Sequence, residues 1–111
     1  MTVPIRLLLS LALACAVGLA HAAGEPEFAL TIRDHKFSPA ELRIPAKTKV
    51  KLVVDNQDAT PEEFDSHALN REKVIAGKSK ATIFIGPLAP GRYSFMGEFH
   101  ADTAQGVVVA Q

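Results

Sequence analysis

The spacing of apolar residues predicts an all-β protein: a Greek-key β-sandwich or barrel of seven or eight short strands. Three observations carry this expectation. Every apolar segment beyond residue 23 is short, Gly, Pro, Asn and Asp punctuate the segments closely, and no stretch keeps the 3.6-residue period of a helix.

The elements follow in order. Phe28, Leu30 and Ile32 alternate with Ala29, Thr31 and Arg33, the period of a half-buried strand. Lys36 to Pro39 reads as a turn-like break. Leu42 to Ile44, stopped by Pro45, reads as a short edge strand, and Val50 to Val54 as a central one. Asp55 to Pro61 is a polar loop. Phe64 and the stretch Glu72 to Ala76 supply two further β segments, and Thr82 to Ile85 alternates around Ile83 and Ile85. Gly86-Pro87-Leu88-Ala89-Pro90-Gly91 is a dense turn signal before a strand over Arg92 to Met96, and the last strand is Gly106 to Ala110. An immunoglobulin-like sandwich has the same signature, and the pattern alone does not separate the two.

The first 22 residues read as an address and not as part of the fold. Arg6 precedes an apolar run from Leu7 to Ala20, and Ala20-His21-Ala22 matches the small-x-small pattern of a cleavage site. The run is shorter than the roughly 20 apolar residues of a membrane span. The expectation is a cleaved secretory signal over residues 1–22, a single domain over residues 23–111, and a periplasmic location. Cys15 lies in mid-run with Ala12 where a lipoprotein signal prefers Leu, which argues against lipidation.

Cleavage would remove the only cysteine, so disulfides, thiolate nucleophiles, zinc-thiolate sites and a copper-thiolate bond are excluded for the mature chain. Three His, one Met, one Tyr and the carboxylates remain. Losing Arg6 leaves 11 basic residues against 12 acidic, a net charge of about −1, which gives no electrostatic case for nucleic acid or anionic membrane. No membrane insertion is expected after cleavage. Hydrolytic chemistry has little support, because no Ser-His-acid or Cys-His spacing appears.

The most informative stretch is Pro90-Gly91-x-Tyr93-x-Phe95-x-Gly97-x-x-His100, a turn, a strand with two aromatics on one face, and a loop histidine. It resembles the cupredoxins, in which the same region carries Tyr-x-Phe-x-Cys-x-x-His with a Met about five residues later, forming a copper site with an upstream His. On that match His100 falls on the loop His, Gly97 on the Cys and Gln105 on the axial Met. Glycine offers no ligand atom, so a blue type 1 centre, which needs a thiolate, is not expected.

A closer resemblance runs through Phe37-Ser38-Pro39, Asn56-Gln57, Pro61-Glu62-Glu63-Phe64, Glu72-Lys73-Val74-Ile75, Gly86-Pro87-Leu88 and Gly97-Glu98-Phe99-His100-x-Asp102-Thr103-Ala104-x-Gly106. This set is similar to the EfeO-type cupredoxin-like family, which accompanies bacterial ferrous-iron uptake. The resemblance implies a periplasmic domain that binds a copper or iron ion, handles or helps to oxidise Fe²⁺, and works beside a periplasmic or membrane component of an iron uptake system.

Strand parity adds detail. Glu62 shares a face with Phe64, so a buried Phe64 turns Glu62 toward the end of the sandwich where a cupredoxin places its upstream His, and Glu63 away from it. Carboxylate with imidazole and no thiolate suits Fe²⁺, Fe³⁺ or Cu²⁺. The expected site is Glu62, Glu98 and His100, with Asp102, Met96 and His67 as further donors. Met96 falls on the face opposite Tyr93 and Phe95, and His35, after Asp34, reads as a plain loop histidine. Two other readings are a metal-free module that docks on a permease or periplasmic partner, and a non-blue copper electron-transfer protein.

Overall fold

A computed structural model describes residues 24–111; the expected leader, residues 1–22, lies outside the described residues. Nine strands follow one another: β1 (Glu27–Arg33), β2 (Lys36–Ser38), β3 (Glu41–Ile44), β4 (Val50–Asn56), β5 (Glu62–Ser66), β6 (Arg71–Ile75), β7 (Ser79–Ile85), β8 (Gly91–Gly97) and β9 (Gln105–Ala110). A single 3-10 turn, Glu98–His100, separates β8 from β9. One sheet has the order β2-β1-β4-β7 and the other β3-β9-β8-β5-β6.

The strand count exceeds seven or eight because Lys36–Ser38 is not a break. It pairs with β1 in the register Thr31↔Ser38 across a two-residue turn, Asp34-His35. Both sheets are mixed: β1 runs parallel to β4 and β3 parallel to β9, whereas an immunoglobulin sandwich is built of antiparallel sheets. The central strand β4 alternates buried Val50, Leu52, Val54 and Asn56 with half-buried residues, and it meets β1 on one side and β7 on the other.

Burial follows the period-2 pattern read from the sequence. Leu30, Ile32, Leu52 and Val54 from one sheet close on Phe64, Ile75, Phe95 and Val108 from the other, all buried. Toward one end of the sandwich the core becomes aromatic. Phe95 meets Phe37 edge-on at 4.9 Å between ring centroids and stacks with Phe64 at 5.0 Å, and Phe37 meets Phe64 edge-on at 6.2 Å. Each ring stands two residues from a position at that end: Phe37 from His35, Phe64 from Glu62, and Phe95 from Gly97. Residues two apart in a strand share a face, so packing these rings also fixes where the strand ends aim.

Truncating the middle ring tests that floor. Phe64→Ala is expected to lower unfolding free energy by about 3–5 kcal/mol, read from the urea midpoint at constant m-value.

Candidate metal centre

Glu62 opens β5 and is 1% exposed, with its carboxylate held on every side by hydrogen bonds. The backbone N–H groups of Glu63 and Phe99 donate to Oε1 at 3.0 and 2.9 Å, and His100 Nδ1 shares a hydrogen bond of 2.6 Å with Oε2. Burying a carboxylate costs several kcal/mol unless donors replace its water, and these three donors do so. An ionised Glu62 accepts this bond from Nδ1–H, which leaves Nε2 as the His100 ring nitrogen outside it.

Gly97 explains how the carboxylate fits. A Cβ at this position would lie 2.6 Å from Glu62 Cδ, 2.9 Å from Oε1 and 2.7 Å from Ala104 Cβ. The room that a larger residue would use is filled by the glutamate. A cysteine side chain, and with it a type 1 copper centre, does not fit this arrangement. The loop that follows folds back on itself: Gly97 N–H donates to Ala104 O, and Ala104 N–H to His100 O, both at 2.8 Å. That closure brings His100 back over Glu62.

The third candidate ligand is His35, which by sequence reads as a plain loop histidine. Its ring stacks on His100 with centroids 3.6 Å apart and planes 11° from parallel. One ligand atom each from His35, Glu62 and His100 lie within 4.8 Å of one another. His35 occupies the second position of the two-residue hairpin turn, with φ of 57° following Asp34 at 51°. Two successive left-handed residues are what a type I′ turn requires, and Gly or Asn usually supplies them. The signal that could have revealed His35 is this one: a histidine where the turn geometry favours glycine.

Asp58 braces the turn. Its Oδ1 accepts from Asp34 N–H at 2.8 Å and its Oδ2 from His35 N–H at 3.0 Å, with His35 Nδ1 3.4 Å from the same oxygen. Chiefly the His35 N–H bond, followed by that from Asp34, holds the Asp58 carboxyl below the usual aspartate range.

The other expected donors stand elsewhere. Glu98, expected beside Glu62 and His100, sends its carboxylate instead to Glu63 and Glu72, all three oxygens within 4.8 Å. Partial burial and then the neighbouring charge of Glu98 push the Glu63 carboxyl up, as crowding of like charges requires. Met96 is exposed on the outer face, opposite Asp65 on β5 and Gln105 on β9. Asp102 is exposed in the turn before β9. His67 lies past the far end of β5, five residues from Glu62 and so roughly 16 Å away at strand rise. There it lines a shallow cleft with Asp65 and Met96.

Two mixed sheets in this order, with two imidazoles and a buried carboxylate at one end and no cysteine among the described residues, define a cupredoxin-like sandwich. The chain belongs to the cupredoxin-like domain family, whose pattern matches residues 6–110. The uncharacterized protein RP394 of Rickettsia prowazekii (strain Madrid E) is 46% identical over 83 residues, which is 75% of this chain and 66% of that protein. The chain thus spans just under two thirds of that relative.

Among solved structures, auracyanin A, a blue copper protein of Chloroflexus aurantiacus, superposes with a TM-score of 0.67 at 15% identity, over 79% of this chain and 100% of that one. Amicyanin from Paracoccus versutus gives 0.60 at 16% identity, over 80% and 83%. A purple cupredoxin from Nitrosopumilus maritimus gives 0.57 at 18% identity, over 78% and 100%. At these identities the likeness is one of fold.

A double-mutant cycle measures the fit between Glu62 and position 97. Gly97→Ala is expected to destabilise the protein by about 1–3 kcal/mol through overpacking. In a Glu62→Ala background the same change should cost less, because the methyl then enters vacated space; equal costs in both backgrounds would show that the two sites do not compete.

Proposed function

We propose that this protein is an exported metal-binding member of its family that serves ferrous-iron uptake, holding Cu²⁺ or Fe²⁺ through His35, Glu62 and His100. The observation that carries the reading is the convergence of two imidazoles and one buried carboxylate within 4.8 Å. This donor set lacks the thiolate that favours Cu(I), and imidazole with carboxylate suits borderline and hard divalent ions. An ion entering between Glu62 and His100 takes the place of the proton they share. Copper held there would supply a one-electron acceptor for Fe²⁺. The periplasmic location rests on the secretory pattern of residues 1–22, and the iron-uptake role and its permease-side partner rest on the resemblance carried by residues such as Pro61-Glu62-Glu63-Phe64 and Gly97-Glu98-Phe99-His100.

A second reading has one observation in its favour. Glu62 accepts hydrogen bonds from Glu63, Phe99 and His100 on both carboxylate oxygens, so these contacts alone can act as a latch that closes the end of a metal-free docking module.

Calorimetric titration of the domain, residues 23–111, with Cu²⁺ and separately with anaerobic Fe²⁺ distinguishes the two. The metal-binding reading expects one site for at least one ion, weakened by an order of magnitude or more in His100→Ala and in His35→Ala. If wild type and both variants bind each ion alike, the latch reading stands.

A further inference from the structure

We propose that Asp58 is the positioning residue of the metal centre: it holds His35 in its left-handed conformation and faces ring Nδ1, so that Nε2 is the nitrogen offered to the ion. The inference rests on the metal-binding reading and deepens it. Three observations lead to it.

The first is strain. Asp34 and His35 both have positive φ, and neither is glycine. Left-handed backbone at side-chain-bearing residues persists only where surrounding contacts over-determine it. Asp58 supplies those contacts, using one oxygen for each of the two N–H groups of the turn.

The second is the way Asp58 is itself held. Its N–H donates to Asn56 Oδ1 at 3.1 Å. Asn56 is wholly buried, and its Nδ2 donates to Thr60 O at 2.9 Å and Ile75 O at 3.2 Å. Asp58 N–H, Asn56 and the ends of β4 and β6 are thus hydrogen-bonded to one another, so the backbone that carries the Asp58 carboxylate is tied to the core.

The third is the geometry at the imidazole. Asp58 Oδ2 lies 3.4 Å from His35 Nδ1, and Thr103 Oγ1 donates to His35 O at 2.7 Å. Thr103 belongs to the same loop as His100, so the turn is tied to both sides of the centre. A metal-binding histidine whose second nitrogen faces a carboxylate has its tautomer and ring orientation set by that carboxylate. Here the carboxylate comes from the β4–β5 loop and the imidazole from the β1–β2 turn, and the backbone bonds from Asp34 and His35 hold the two side by side.

The test uses residues 23–111 as wild type, Asp58→Asn and Asp58→Glu, with two readouts. Long-range ¹H–¹⁵N correlation of the metal-free protein reports the His35 tautomer. Copper titration followed by electron paramagnetic resonance reports affinity and the number of coupled nitrogens. Wild type is expected to carry the His35 proton on Nδ1 and to show two nitrogens on copper. Asp58→Asn should lose the tautomer preference, bind copper about 10- to 100-fold more weakly and lose one nitrogen, while Asp58→Glu restores part of both. A purely structural Asp58 would lower the melting temperature and leave tautomer and nitrogen count alone, and that result overturns the proposal. If wild-type protein binds copper no better than His100→Ala, the metal reading fails; the tautomer readout still decides whether Asp58 orients His35.

Discussion

The glutamate that occupies the space beside Gly97 is the contact on which the centre depends. Without a side chain at position 97, the end of the sandwich would hold a void between β5, β8 and the start of β9. The carboxylate of Glu62 fills it and, once buried, requires donors. It finds them in the backbone of its own strand at Glu63, in the 3-10 turn at Phe99 and in the ring of His100. One substitution in packing thereby organises a strand end, a turn and a loop.

The same contact changes the chemistry that the fold can support. A thiolate at the end of a cupredoxin sandwich selects copper and creates a covalent, strongly absorbing bond. Here a carboxylate from the adjacent strand, a harder group than a thiolate, fills the space beside Gly97, while His35 brings a second imidazole over His100. The aromatic floor of Phe37, Phe64 and Phe95 lies under this end of the molecule: each ring stands two residues from His35, Glu62 or Gly97 above it. The cost of the arrangement is local backbone strain in the Asp34-His35 turn, offset by Asp58.

Much of the fold was legible because it rests on alternation, which a sequence displays directly. The inward aim of Glu62 followed from the parity of Phe64, and the outward aim of Met96 from that of Phe95. Strand β2 leaves no sequence signal because three residues are too few to show a period, and its pairing depends on the hairpin turn before it. The site was only half legible. Glu62 and His100 could be paired from family-like motifs, but Glu98 stood beside His100 in sequence and points to Glu63 and Glu72 because the 3-10 turn rotates neighbouring side chains to different faces. His35 is not legible because its approach to His100 spans 65 positions and is set by a turn, a stack and a remote carboxylate. None of these leaves a local periodic trace.

A crystal structure of residues 23–111 grown with one equivalent of Cu²⁺ is the decisive measurement. An ion, located by its anomalous signal, is expected to be bound by Glu62 and by the imidazoles of His35 and His100, with Gly97 contributing no atom. An ion held only by Glu63, Glu72 and Glu98, or an intact hydrogen bond of 2.6 Å between Glu62 and His100 with no ion beside it, would contradict that claim.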